Sequence, residues 1–445
     1  MDGAKQMKRF FSLSVIVIFV LVLQTSVLGL NVEDGQTADS MPGPVAYIYY
    51  DPNPQVIQKT SPPLNFLMAA APAADIQVNY NGGGWTSAAM NAFEYAVSIW
   101  ETQIKSDVTI VVDADFSSLG TGVLGGAGTT TIHRNFSGAA YSNTWYAAAL
   151  ANTLSGTDQN GSEAEISASF NNNINISGID WYYGTDGNTP GNRIDFVSVV
   201  LHEIGHGLGF FGSMTVSGGV GTWGYNGFPV VYDLFTENGA GQSLMNDFPK
   251  GSVALKNQLT SNDVYFDGLN ANAANGNSRV QLYAPFSWQQ GSSYSHLGES
   301  FNGTSSALMT YAIGPGETEH APGPVTLGVF EDLGWNANSI PVIDSLPAVW
   351  VGPGETIDNA IDLWAYASDP TEAVNELTYE IIDQSDPVGG ASIDSNRFVD
   401  INPTNPTWEG RSAVTIRVSD SGGESAVGVF VINPEQTFLP LMMNN

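Results

Sequence analysis

Cysteine is missing from all 445 residues, so no disulfide can staple the fold and its stability must come from packing or bound ions. Histidine is scarce, at five in the chain, which makes any two at ligand spacing informative. Bases are few as well: 13 Lys and Arg stand against 44 Asp and Glu, a net charge of −31, and so acidic a chain excludes nucleic acid as a partner. With charged residues at only 13%, the surface must be covered largely by Asn, Ser, Thr and Gly, which suits a secreted protein rich in loops and strands. Long apolar runs are lacking except near the start. There Lys5, Lys8 and Arg9 precede the apolar stretch Phe10 to Leu23, followed by Thr25-Ser26-Val27-Leu28-Gly29. That order reads as a secretory signal over residues 1–29, cut after Gly29, and its apolar part is short for a bilayer span. The exported chain is expected to be extracellular, with no stable membrane insertion.

Against this background one segment stands out, Val199-Val200-Leu201-His202-Glu203-Ile204-Gly205-His206-Gly207-Leu208-Gly209-Phe210. Val197, Val200, Leu201, Ile204 and Leu208 recur at three- and four-residue steps and predict a helix, with Asp195 as its N-cap and Gly209 as the residue that takes a positive φ and ends it. Four residues make just over one turn. His202 and His206 therefore share a face and can bind one Zn²⁺, with Glu203 beside them to handle protons. A catalytic zinc site usually needs a third protein ligand and leaves the fourth position to water. The candidates are His133, His296 and His320, or a carboxylate such as Asp233 or Glu237. His296 is favoured by its surroundings: Gly291-Ser292-Ser293-Tyr294-Ser295-His296-Leu297 is followed by Ser305-Ser306-Ala307-Leu308-Met309-Thr310-Tyr311.

The helix motif resembles the His-Glu-x-x-His-x-x-Gly-x-x-His pattern of the metzincin metalloproteases as far as Gly209, but the family's third histidine position is Gly212 here, which has no ligand atom. Taken with the Ala307-Leu308-Met309 segment, the chain is similar to the leishmanolysin-like branch, where an insertion separates the helix from a third histidine lying shortly before a methionine turn. The resemblance runs from the strand near Ile76 to Trp335. It implies zinc on His202, His206 and His296, Met309 packed under the site, Glu203 as general base, and Tyr311 as a phenol near the zinc that helps stabilise the oxyanion. On this reading His133 and His320 are ordinary surface or loop histidines. The implied reaction is hydrolysis of a peptide bond in a protein or peptide substrate. Eukaryotic members of that branch are disulfide-rich and are held latent by a propeptide cysteine; this chain has none, so any latency must work differently.

The fold class expected is α+β, a metzincin-like domain of a twisted sheet and an active-site helix, followed by an all-β sandwich. Residues 30–72, rich in proline and without clear periodicity, read as a propeptide or an ordered N-terminal arm. Residues 73–338 read as the catalytic domain. It starts with a strand at Ile76 to Tyr80, continues with a helix that presents Met90, Phe93, Val97, Trp100 and Ile104 and is capped at Thr86 or Ser87, and then has a strand over Val108 to Val112. Further strands are expected within 162–183. The insertion, 213–295, shows little helical pattern, and Thr326 to Leu333 reads as a closing helix ended by Gly334. Residues 341–435 alternate in short strands and resemble cadherin-like or immunoglobulin-like accessory domains; 436–445 form a tail. Asp369 and Asp420 sit in turn-like segments and are candidates for a Ca²⁺ site.

Two other functions fit the same residues. A secreted adhesion or binding protein with a catalytically degenerate metalloprotease domain would explain Gly212, and a hydrolase of non-peptide amides would use the same chemistry. Zinc content separates the first of these from an active enzyme, because a dead domain need not keep three ligands.

Overall fold

The computed structural model describes residues 39–54, 56–68, 71–335, 341–369, 374–420 and 425–434. The expected signal 1–29, the stretch around Asn338 and the tail 436–445 lie outside the described residues. The chain is α+β, with a β-sandwich in its C-terminal part, and has two separate hydrophobic cores, one built from residues between Ile48 and Trp335 and the other from residues between Leu346 and Ile432. Among the described residues, no helix is long and apolar enough to cross a membrane.

The first core lies under a six-stranded sheet. Its strands are β1 (Ala46–Tyr50), β2 (Ile76–Asn81), β3 (Ile110–Ser117), β4 (Val123–Thr129), β5 (Ile166–Asn171) and β6 (Ala312–Ile313), in the order β6-β1-β4-β5-β3-β2. β2, β3 and β5 run parallel, β4 is antiparallel to β5, β1 is antiparallel to β4, and β6 is parallel to β1. The strand expected over Val108 to Val112 starts two residues later and is longer. Its buried residues Ile110, Val112, Ala114 and Phe116 alternate with half-buried ones that include Asp113 and Asp115, as a pleated strand with one buried face requires. Ile174, Ile176 and Ile179 are not in strands; β5 ends before them, and the next strand is Asp180–Tyr182.

Three of the helices packed in this core bear on the site. α1 (Ser87–Gln103) begins at Thr86, whose Oγ1 accepts the Ala89 N–H at 3.1 Å, and buries Phe93, Val97 and Trp100. α2 (Phe196–Leu208) is the motif helix, and every one of its residues is buried. It packs on α1, β4 and β5. Two indoles reach its carbonyls: Trp100 donates to Leu201 O at 3.0 Å and Trp335 to Leu208 O at 2.9 Å. α3 (Pro324–Leu333) is the closing helix, started by a proline at its first position and ended at Gly334 with φ +114°.

Outside these elements the described residues of the N-terminal arm are not free of strand: Asp39–Pro42 pairs with Thr131–Arg134, β1 joins the main sheet, and Lys59–Thr60 pairs with Thr318–Glu319. The insertion is not free of helix either, since it contains Val253–Leu259, capped by Ser252, and Leu269–Ala274, which packs on α3. Both are short, so their apolar stripe covers too few turns to show as a period.

In the C-terminal part, Val349–Val351, Ser425–Pro434, Ser412–Ser419 and Thr378–Gln384 form one sheet, while Ile357–Asp362, Phe398–Ile401 and Ala391–Asp394 form another. Val399, Ile401, Val414, Ile416, Val418 and Ile432 fill the core of this part. The strand Ile357–Asp362 is followed at once by Leu363–Ala365, which turns as a 3₁₀ helix capped by Asp362. Asp369 and Asp420 adjoin residues 370–373 and 421–424, which lie outside the described residues.

Candidate metal centre

Asp195 opens α2. Its carboxylate accepts the Ser198 backbone N–H at 2.9 Å and the Ser198 hydroxyl at 2.7 Å, the N-cap expected from the sequence. The same carboxylate is bonded to Thr189 Oγ1 and, at 2.8 Å, to His320 Nε2. His320 is thus fully buried structure that fastens the helix start, and not a surface residue. His133, at 2% exposure, is also buried; its ring bonds to Thr131 Oγ1 at 2.8 Å.

At the other end, Gly209 takes φ +126° and turns the chain so that the Phe210 carbonyl faces back to His206. His206 Nδ1 donates to that carbonyl at 2.7 Å. His202 Nδ1 donates to Leu308 O at 2.6 Å, and His296 Nδ1 donates to Ser292 O at 2.7 Å. A carbonyl can only accept, so all three rings carry their proton on Nδ1 and present a bare Nε2. The three Nε2 atoms converge, 3.0 Å apart for His202 and His206, 3.2 Å for His202 and His296, and 3.1 Å for His206 and His296. Burial draws the pKa of His206 down to about 4 and those of His202 and His296 well below the usual imidazole value, with neighbouring histidines adding to the fall for the latter two. Three neutral lone pairs aimed at one point repel one another unless a cation sits among them. Two ligands held at about 2.0–2.1 Å from a tetrahedral zinc stand roughly 3.4 Å apart, close to the spacing seen. The residues therefore fit a zinc ion, and among the described residues they are the one such group of metal-ligating side chains.

His296 follows a strained turn. Tyr294, two residues before His296, has φ +75°, a conformation that costs a non-glycine residue of the order of 1–2 kcal/mol. Its hydroxyl bonds to Asp233 Oδ1 at 3.0 Å and to Thr236 Oγ1 at 2.8 Å, and its ring is buried. Asp233 also accepts the backbone N–H groups of Ser213 and Val230 and the Ser213 hydroxyl. It is a tie between the end of the helix motif and the His296 turn and is not a metal ligand. Glu237 is ion-paired with Arg279. Gly212 has no room for any side chain: a Cβ there would run into the Tyr294 ring and lie 2.7 Å from Asp233 Oδ1. The space beside Gly212 is thus filled by the residues that hold the His296 turn.

Met309 is fully buried under the site, with its sulfur against Gly205 of α2, and its carbonyl accepts the Leu297 N–H at 2.8 Å. Glu203 is wholly buried. One carboxylate oxygen accepts the Ile48 N–H at 3.2 Å, and burial pushes its pKa well above the usual range against the pull of the Ile48 and Ala127 N–H groups. The Tyr311 ring stacks on that of Tyr283 at 4.2 Å, and its hydroxyl bonds to the Tyr283 hydroxyl.

No protein-family model and no curated protein matches the chain. Among solved structures it is similar to protocadherin gamma B7 extracellular cadherin domains 1–4, at 20% identity over 22% of this chain and 24% of that one, with a TM-score of 0.18. The human desmocollin-1 ectodomain matches at 20% identity over 22% of this chain and 20% of that one, with a TM-score of 0.18. A nucleoside hydrolase-related hypothetical protein from Saccharophagus degradans matches at 16% identity over 32% and 39%, with a TM-score of 0.17. At such TM-scores these likenesses carry no argument, and the reading of the site rests on its own geometry.

Proposed function

We propose that the chain is a secreted zinc-dependent endopeptidase of the metzincin kind, leishmanolysin-like in the long insertion before its third ligand. The observation that carries this reading is the convergence of three proton-free Nε2 atoms beside a buried glutamate. His202, His206 and His296 would hold the ion. Zinc bound there supplies a Lewis acid that polarises a carbonyl and lowers the pKa of water. Glu203 takes a proton from the attacking water and hands it to the departing amine. The backbone carbonyls of Leu308, Phe210 and Ser292 keep each imidazole in the tautomer that leaves Nε2 free, and they fix its direction. The C-terminal sandwich, cadherin-like by its sequence texture, is read as an accessory domain over residues 341–435 that supplies no catalytic group. Glu203→Gln tests the reading. The variant is expected to keep its zinc and lose casein or gelatin hydrolysis by several orders of magnitude, since an amide cannot accept the proton. Equal turnover by the two proteins would remove Glu203 as the base.

A further inference from the structure

β4 is the strand that crosses above Glu203, and it would be the free edge of the sheet if the N-terminal arm were absent. An extended peptide brought to Glu203 would add to that edge by strand pairing. The position is already filled. β1 lies between β4 and β6, antiparallel to the first and parallel to the second. On one side the N–H groups of Tyr47, Tyr49 and Asp51 donate to the carbonyls of Gly291, Tyr311 and Ile313 at 2.9–3.0 Å. On the other, Tyr50 N–H donates to Gly122 O at 2.8 Å and Ile48 N–H donates to the Glu203 carboxylate. The Ile48 side chain is 2% exposed and, with Ser198, Leu308, Thr310, Ile313, Glu317 and Glu319, lines a small cavity.

We propose that β1 is an internal pseudo-substrate: it occupies the peptide-binding position of the proposed protease and holds the full chain to a fraction of its activity while it stays there. The inference rests on the endopeptidase reading for its meaning and on the strand's position for its content. Residues 46–50 contain no histidine, cysteine or carboxylate, so the block is not made by an imidazole, thiolate or carboxylate of the strand. It acts on the proton acceptor, whose oxygen is held by a backbone amide. The glycines of β4 allow the close approach. A Cβ at Gly128 would run into the Pro44 carbonyl oxygen and stand 2.9 Å from its carbon and 3.2 Å from Val45 Cα, all atoms of the arm.

Gly128→Ala should therefore push the arm from β4 while leaving the histidines and Glu203 in place. Ile48→Asp does so independently, by putting a third carboxylate at a buried position beside the cavity that Glu317 and Glu319 line. Gly83→Ala, in a loop with nothing within 4 Å of the added carbon, is the control. The probe is a fluorescent peptide of the sequence Pro44 to Asp51, followed by anisotropy on zinc-treated full-length protein. Both arm variants are expected to bind it at least 10-fold more tightly than wild type and Gly83→Ala, and to hydrolyse casein at least 10-fold faster. Tighter peptide binding without hydrolysis would leave the strand assignment standing and sink the protease reading. Equal peptide binding by wild type and both folded variants would overturn the pseudo-substrate. So would scission of wild type between Tyr47 and Ile48, which would make the strand a true substrate.

Discussion

Gly207 of α2 lies against β5, and the packing there gives a stability test that also reaches the metal. A Cβ on Gly207 would overlap Ile166 Cγ2 and stand 2.8 Å from its Cγ1 and Cδ1. Carbons pack at about 3.5–4.0 Å, so the isoleucine or the helix must move by roughly 1 Å. Ile166 is fully buried in a strand paired on both sides, and it has little space to move into. Overpacking of this kind costs about 1–3 kcal/mol, while the helix preference of alanine over glycine returns up to about 1 kcal/mol. Gly207→Ala should lose roughly 1–2 kcal/mol. Ile166→Ala alone should lose about 2–4 kcal/mol through the cavity it leaves. In the double substitution the new methyl group enters that cavity, so the two effects should couple favourably by about 1–2 kcal/mol. Equilibrium urea unfolding of the four proteins measures the cycle. Because Gly207 follows His206, the single Gly207→Ala variant should also bind zinc more weakly, and the double variant should recover. Strict additivity, or Gly207→Ala as stable as wild type, would refute the close packing of ligand helix on sheet.

Three further outcomes are expected. Asp233→Ala should free Tyr294 from its strained turn and weaken zinc binding by about 10–100-fold without removing a ligand, as measured by competition with a chelator; unchanged affinity would show that the turn holds itself. Burial raises the Glu319 pKa to about 8. Its folded-state proton is thus bound more tightly than in the unfolded chain, so its contribution to stability is present below the ordinary glutamate value of 4.5 and fades as pH rises through about 8. Glu319→Gln should therefore gain on wild type by up to a few kcal/mol between those limits, and a difference flat in pH would contradict the shift. A chain ending near Asn338 should fold and bind zinc as the full chain does, since the two cores share no residue; loss of zinc from a folded truncation would mean that the sandwich helps build the site.

Much of α2 was legible in the sequence. Its apolar period, its Asp195 cap and its Gly209 stop are local signals, and five histidines leave few choices for a third ligand. The arm was not legible as a strand of the sheet. Ala46 to Tyr50 is apolar throughout and lacks the alternation that marks a half-buried strand, because both its edges and one face are covered by residues distant in sequence. The burial of His320 was missed for a related reason: its partner Asp195 is 125 residues away, and nothing around His320 signals the pairing. Gly212 looked like a missing ligand; the structure gives its cause in Tyr294 and Asp233, which fill the space and position His296.

The central claim is that His202, His206 and His296 hold one zinc ion, and elemental analysis of purified protein tests it most directly. Wild type and His133→Ala should each carry one zinc per chain, and His296→Ala should lose it while remaining folded by circular dichroism. Full zinc in His296→Ala together with its loss in His133→Ala would contradict the account.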